Sequence, residues 1–256
     1  MRKDLYQEVF EQETYYWWHK AKQQLVISII KKHHKSKKLK ILDLGCGTGA
    51  MLAQLKSFGQ VFGADNSKLA LKLSRKRKLK NLYLCDFNKD ALPFGDNCFD
   101  VILILDVIEH INKPKLLLCE ISRVLKNEGL LIVIVPAYQS LWSYWDEILG
   151  HFRRYTKKNL LLTLTKHKFY PIYSSYFHMA ILVPAIFARF IKQKKYEFKK
   201  GLVNTQNIPS DFRPLPIWLN SILLTISFLE RLILQQLSLP CGLSVIAVCK
   251  KNTHEK

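Results

Sequence analysis

The 256-residue chain has six cysteines but no C-x-x-C pair, and no His/Cys spacing of a zinc site. Cys46, Cys85, Cys98, Cys119, Cys241 and Cys249 therefore read as free thiols in a reducing cytoplasm, and no metal is expected. Acidic residues are scarce: Asp+Glu number 20 against 40 Lys+Arg, a formal net charge of +20. That balance suits an anionic partner, or lysines that simply solvate turns and helix faces. The opening Met1-Arg2-Lys3-Asp4 is charged and no apolar h-region follows it, so no signal peptide is expected. An uninterrupted apolar run of about 20 residues is also missing. Residues 169–191 are broken by Pro171 and Pro184, and the run 217–229 ends at Glu230-Arg231. Folded core is the expectation for both runs, with contact at a membrane interface and, last, a true span as the alternatives. No repeat or low-complexity segment stands out.

What is present is enough for a core. Hydrophobic residues make up 48% of the chain, and its length suits one large α/β domain, with or without a small appendage. Residues 5–35 read as helical, with Tyr15, Trp17, Trp18, Ala21, Leu25, Ile29 and Ile30 near one face. Residues 39–44 are a short apolar run ending in glycines, which suits a buried parallel strand. A helix follows, carrying Met51, Leu52, Leu55 and Phe58 and ended by Gly59. The alternation then repeats: strand 60–64, helix 67–76, strand 81–85, strand 99–105, helix 114–125 and strand 129–135. Strands separated by such helices form βαβ units, and hence a parallel sheet with helices on both faces. Residues 137–156 show no clear period. Helix 156–167, strand 169–177, a basic loop at 192–213, an apolar helix at 215–237 and a last strand at 243–249 complete the reading.

Chemistry concentrates in Ile41-Leu42-Asp43-Leu44-Gly45-Cys46-Gly47-Thr48-Gly49. A strand delivers the chain to a tight turn whose glycines let backbone approach a ligand. The following helix begins at that turn, so its first amides face the same ligand. Twenty positions after Gly45 comes Asp65, with Asn66 beside it, where a carboxylate can accept both ribose hydroxyls of an adenosine. Asp86 ends the third strand, within reach of an adenine amino group, and Phe87 could lie against the ring. Asp106 ends the fourth strand. Gly45, Gly47 and Ala50 also fit the dinucleotide pattern G-x-G-x-x-A. Asp43 argues against that reading, because a carboxylate there would repel a pyrophosphate and suits a positive amino group.

These residues resemble the motifs of class I S-adenosylmethionine-dependent methyltransferases, over residues 40–136. Asp43 to Gly49 resembles the first motif. Asp65, Asp86-Phe87 and Phe99 through Ile111 resemble the later ones. Arg123-Val124-Leu125-Lys126-Asn127-Glu128-Gly129 resembles the turn R-x-L-K-x-G-G, with Glu128 where glycine is commoner. The chain is most similar to the type 11 branch that includes quinone-biosynthesis methyltransferases. The resemblance implies S-adenosyl-L-methionine as cofactor, with Gly45, Cys46, Gly47 and Gly49 shaping its methionine pocket. Asp43 would face the amino group, Asp65 would hold the ribose, Asp86 the adenine, and Asp106 would close the pocket near the sulfonium. It also implies an α/β fold: a Rossmann-like seven-stranded, mostly parallel sheet with helices on both faces. The antiparallel last strand, 243–249, would lie beside 169–177. Residues 1–38 would then be a helical cover, 39–177 the core, 178–242 an insertion of the kind that builds substrate sites, and 243–256 the final strand and tail.

At the acceptor end the candidate bases are His110, His151 and Tyr155. Arg153 and Arg154, with that His and Tyr, suit a phosphate or carboxylate, or else cap the helix that Thr156 starts. Trp142, Tyr144 and Trp145 could line an apolar pocket or plug the insertion. Tyr16, Trp17 and Trp18 cover the cofactor or pack the first helix on the core. The expected function is methyl transfer to a small-molecule or lipid-like anionic acceptor, in the cytoplasm or peripherally at a membrane. Alternatives are an RNA methyltransferase, favoured by charge but lacking an N-P-P-Y or D-P-P-Y signature and a separate RNA-binding module, and a non-catalytic cofactor-fold binding protein.

Overall fold

A computed structural model describes residues 3–35, 38–199 and 215–251. Two helices, α1 (Lys3–Gln12) and α2 (Trp17–His33), precede the sheet. The alternating unit follows: β1 (Leu39–Leu44), α3 (Ala50–Leu55), β2 (Gly59–Asp65), α4 (Lys68–Lys76), β3 (Leu82–Leu84), β4 (Phe99–Leu105), α5 (Lys115–Val124) and β5 (Leu125–Pro136). Then come α6 (Tyr144–Leu149), α7 (Lys157–Thr165), β6 (Phe169–Phe177), α8 (Leu182–Lys199), α9 (Ile217–Leu234) and β7 (Ser244–Lys251). The seven strands lie in the order β3-β2-β1-β4-β5-β7-β6. The first five are mutually parallel, and β7 runs antiparallel to both β5 and β6. This is the Rossmann-like sheet expected from the sequence, including the antiparallel strand beside β6.

The central strands are buried on both faces, which explains their unbroken apolar sequence. Val101 to Ile104 of β4 and Leu131 to Val135 of β5 are wholly buried, as are Val245 to Cys249 of β7. Each valine, leucine or isoleucine among them contributes roughly 1.5–3 kcal/mol by leaving water. From α2, Leu25, Val26 and Ile30 join the same cluster, as do Leu117, Leu118 and Ile121 of α5.

Three expectations are corrected. The single helix over 5–35 is two helices, broken at Glu13–Tyr16. Tyr16 is extended (ψ 128°), and α2 receives its first cap from afar: the Trp17 amide donates to Asn220 Oδ1 at 2.8 Å. No local pattern announces a cap supplied by α9. The basic stretch from 192 was expected to be loop, but α8 continues through it to Lys199. Pro184 is no obstacle, since it falls in the first turn, where a missing amide costs no helix bond. Of the expected loop, 200–213 lies outside the described residues. Finally, the aperiodic stretch 137–156 contains α6, closed at one end by a Ser143–Asp146 capping box and at the other by Gly150 in the left-handed region (φ 77°). Six residues are too few to show a period. The final strand is confirmed, and the tail 252–256 lies outside the described residues.

The insertion between β6 and β7 leaves much apolar surface bare. Phe187 is 67% exposed on α8, and Ile217 and Trp218 are 87% and 65% exposed on α9. Helix α9 is long and apolar enough to cross a membrane by length and composition, with mean hydropathy 1.6.

Candidate active site

The glycine turn is set by β1 and β2. The Gly45 and Cys46 amides both donate to the Ala64 carbonyl, at 2.8 and 3.1 Å. Gly45 has φ 72°, and a Cβ built on it would lie 2.3 Å from Val107 Cγ2, so no larger residue fits. Gly47, also at positive φ (54°), faces open space: nothing lies within 4 Å of where its Cβ would be. Its amide donates to Asp65 Oδ2 at 2.9 Å, and the Ser67 amide donates to Oδ1 at 2.8 Å. Asp65 is thus aimed by the two turns that flank it. Asn66, between those turns, is exposed.

Three acids gather here. Asp43 is 3% exposed; burial, then Asp65 and Glu13, push its carboxyl up to about 8. Burial also raises Asp65, against the amides of Ser67 and Gly47, and raises Glu13, against the Thr48 hydroxyl and Arg77. The Thr48 hydroxyl and Arg77 both donate to Glu13, the latter at 2.8 Å. Sequence reasoning missed Glu13 because it lies in the break between α1 and α2, far from the motif. Such a cluster disfavours full ionisation until a cation arrives, which is the chemistry expected at the seat of a ligand bearing an ammonium group. The cleft at Gly47 and the three-acid donor set fit S-adenosylmethionine.

The remaining predicted residues sit as follows. Asp86 accepts from the Asn88 amide at 3.1 Å, and that bond first of all lowers its pKa; Lys89 lies 3.6 Å away. Phe87 is buried in the main core cluster. Asp106 adopts φ 54° at the end of β4 and pairs with Lys22 of α2. Lys22 also sits 5.6 Å over the Trp18 ring. Thus α2 brings a cation to the carboxyl end of the sheet, another contribution the sequence did not announce. Trp17 is buried, in edge contact with the Trp18 ring at 5.4 Å. Trp18 stacks on His178, centroid to centroid 4.4 Å.

On the acceptor side His110, His151, Arg153, Arg154 and Tyr155 converge on one loop region. His151 Nδ1 lies 2.8 Å from Asp146 Oδ1. Arg154 Nε and one terminal nitrogen donate to the same carboxylate at 2.8 and 2.9 Å, and Arg154 also donates to the Ala137 carbonyl. Burial opposes charge on Asp146, but His151 and Arg154 outweigh it and hold the carboxyl well below its ordinary range. Arg154, a candidate acceptor ligand, is therefore buried and engaged with Asp146. Arg153 donates to the Asn112 carbonyl at 2.7 Å and is half-buried. Tyr155 is buried; burial raises its pKa, with Arg153 opposing and Glu109 adding. His110 packs against His151 (ring centroids 4.5 Å) with Nδ1 3.3 Å from the Gly150 carbonyl. Burial and the neighbouring His151 lower its pKa to about 4, so it is a neutral imidazole. Trp142 is half-buried, while Tyr144 and Trp145 pack against Leu5 of α1.

Comparison with known proteins bears on the family and the fold. Residues 42–133 match the family described as a methyltransferase domain. An uncharacterised protein of Methanocaldococcus jannaschii is 36% identical over 157 residues, 61% of this chain and 65% of that protein. A ubiquinone biosynthesis O-methyltransferase of Pelagibacter ubique is 33% identical over 118 residues, 44% of this chain and 48% of that enzyme. The matched segments thus span about half to two thirds of these relatives. Among solved structures, a chain of the complex between the Haloferax volcanii Trm112 methyltransferase activator and a methyltransferase superposes with TM-score 0.61 at 16% identity. It covers 99% of this chain and 97% of its own length.

Proposed function

Residues 42–133 belong to the methyltransferase domain family of class I, S-adenosylmethionine-dependent enzymes, and from that premise we propose that this chain methylates a small, partly apolar, anionic acceptor. The carrying observation is the trio Asp43, Asp65 and Glu13 around a turn whose Gly47 leaves room for a ligand. Bound there, the cofactor supplies an activated methyl. Asp43 receives its amino group. Asp65, already holding two amides, uses its remaining lone pairs for ribose hydroxyls. Asp86 takes the adenine side, and Asp106 the sulfonium side. Helices α1 and α2 cover this end of the sheet and exclude water from it.

The Asp146–His151 pair is how a protein holds an imidazole in one orientation for proton transfer, so His151 is the favoured base among the three candidates. Arg153, on the same loop, supplies positive charge for an anionic acceptor. The bare faces of α8 and α9 support an acceptor that is lipid-like and a cytoplasmic protein held peripherally on a membrane, where the net positive charge favours anionic lipid. The Pelagibacter ubique relative is named a ubiquinone biosynthesis O-methyltransferase, which is consistent with this reading.

Calorimetry tests the cofactor seat. Wild type binds S-adenosylmethionine, and Asp65→Ala loses at least tenfold in affinity while remaining folded. Equal binding by the two proteins would end the reading. Co-sedimentation with vesicles rich in phosphatidylserine tests the surface, and recovery in the supernatant at low salt would remove the membrane from it.

A further inference from the structure

We propose that Glu109, His110 and His151 form a binding site for one divalent transition-metal ion beside the methyl-transfer cleft. One ligand atom from each lies within 4.8 Å of the other two. Glu109 is fully buried, and among the described residues neither of its carboxylate oxygens has a hydrogen-bond partner. A buried carboxyl in that condition either keeps its proton or meets something positive, and a cation that displaces the proton would give both oxygens a partner. The neighbouring charges are already matched: Asp106 pairs with Lys22, and Asp146 with Arg154. Among the described residues, Glu109 is the carboxylate at this end of β4 without an ion pair.

Both imidazoles are prepared as ligands. His151 Nδ1 is held by Asp146 Oδ1 and His110 Nδ1 faces the Gly150 carbonyl, so the nitrogen each would offer an ion in this proposal is Nε2. A carboxylate or carbonyl behind the imidazole is the usual way a protein orients a metal ligand and fixes its tautomer. Two imidazoles and one carboxylate suit zinc and its first-row neighbours, and side-chain adjustment within the cluster reaches bonding distances of about 2.0–2.2 Å. Three protein ligands leave a coordination position open. No sequence spacing announces the set, because His151 lies 41 positions from His110 and reaches it only through the α6 loop.

The site itself stands apart from the methyltransferase reading; its role toward the acceptor rests on that reading. With the ion bound, His151 serves as a ligand and no longer as the base, and an acceptor hydroxyl on the ion would lose its proton more readily to water. The resulting oxygen attacks the methyl carbon; an oxygen–carbon bond forms as the sulfur–carbon bond breaks, its electron pair staying on sulfur, and the hydroxyl proton goes to water.

The test uses the full chain stripped with a chelator. Co²⁺ is titrated while visible absorption and heat are followed, then Zn²⁺ is added as competitor, with S-adenosylmethionine affinity measured in parallel. We expect one Co²⁺ per chain, displaced by Zn²⁺. Glu109→Gln, close to isosteric, and His110→Asn, at a half-buried position, should each weaken metal binding at least tenfold with cofactor affinity unchanged. Wild type that takes up no stoichiometric Co²⁺ or Zn²⁺, or variants that bind like wild type, would overturn the proposal. Metal uptake without cofactor binding would sink the acceptor role and leave the site standing.

Discussion

Replacing Asp43 with asparagine removes an acid whose ionisation the fold resists. Its carboxyl is raised from 3.8 to about 8, by burial first and then by Asp65 and Glu13. The folded chain therefore keeps this proton up to about pH 8, while the unfolded chain releases it near pH 4. Folded stability falls as pH rises through that window. Four units correspond to on the order of 5 kcal/mol, an upper figure because the acids share the effect. Glu13 and Asp65, raised as well, push in the same direction. A carboxamide cannot ionise, so Asp43→Asn should be several kcal/mol more stable than wild type at pH 8 and nearly equal to it at pH 5. The same change should weaken cofactor binding, because the amide no longer offers the ligand's ammonium a full charge. In wild type, affinity should rise roughly tenfold per pH unit up to about pH 8 and then level, with a proton released on binding. Urea unfolding at the two pH values and calorimetry in buffers of different ionisation enthalpy measure both halves. Parallel pH profiles for wild type and Asp43→Asn would refute the reasoning, as would proton uptake on binding.

Arg154→Ala strands the Asp146 carboxylate in the interior, and should cost about 3–5 kcal/mol in chemical denaturation. Arg153→Ala, on the half-buried neighbour, should leave stability nearly unchanged and raise the acceptor KM with cofactor affinity intact; unchanged kinetics would remove it from the acceptor site. Asn220→Ala takes the cap from α2 and should cost about 1 kcal/mol, seen as faster amide exchange in its first turn. Gly45→Ala drives a methyl against Val107 in a left-handed conformation, and should abolish calorimetric cofactor binding even where the protein still folds.

The sheet was largely legible in the sequence because its middle strands are buried on both faces, which leaves unbroken runs such as Val101–Leu105. The glycine turn and Asp65 were legible because both lie at strand ends, where position alone gives purpose. Other parts of the site were not. Glu13 and Lys22 belong to segments outside the motif, and they matter only because α1 and α2 fold back over the strand ends. Asp146 does most of the holding on the acceptor side, yet it sits in a six-residue helix with no period to find. Helix α8 runs on into basic residues that look like loop, since lysine is a good helix former whether or not a core lies beneath it. Local pattern reports which side chains are buried in strands; it does not report which distant segment supplies a counter-charge.

The place of β7 has a bearing on how the chain assembles. It pairs with β5 through seven register positions and with β6 through eight, so it is the wedge between two strands that are made before it. While a ribosome is still delivering α8 and α9, β5 and β6 each show a row of unpaired amides and carbonyls. That nascent state can capture other strands, so a message truncated ahead of Ser244 should yield aggregates, not a smaller soluble domain.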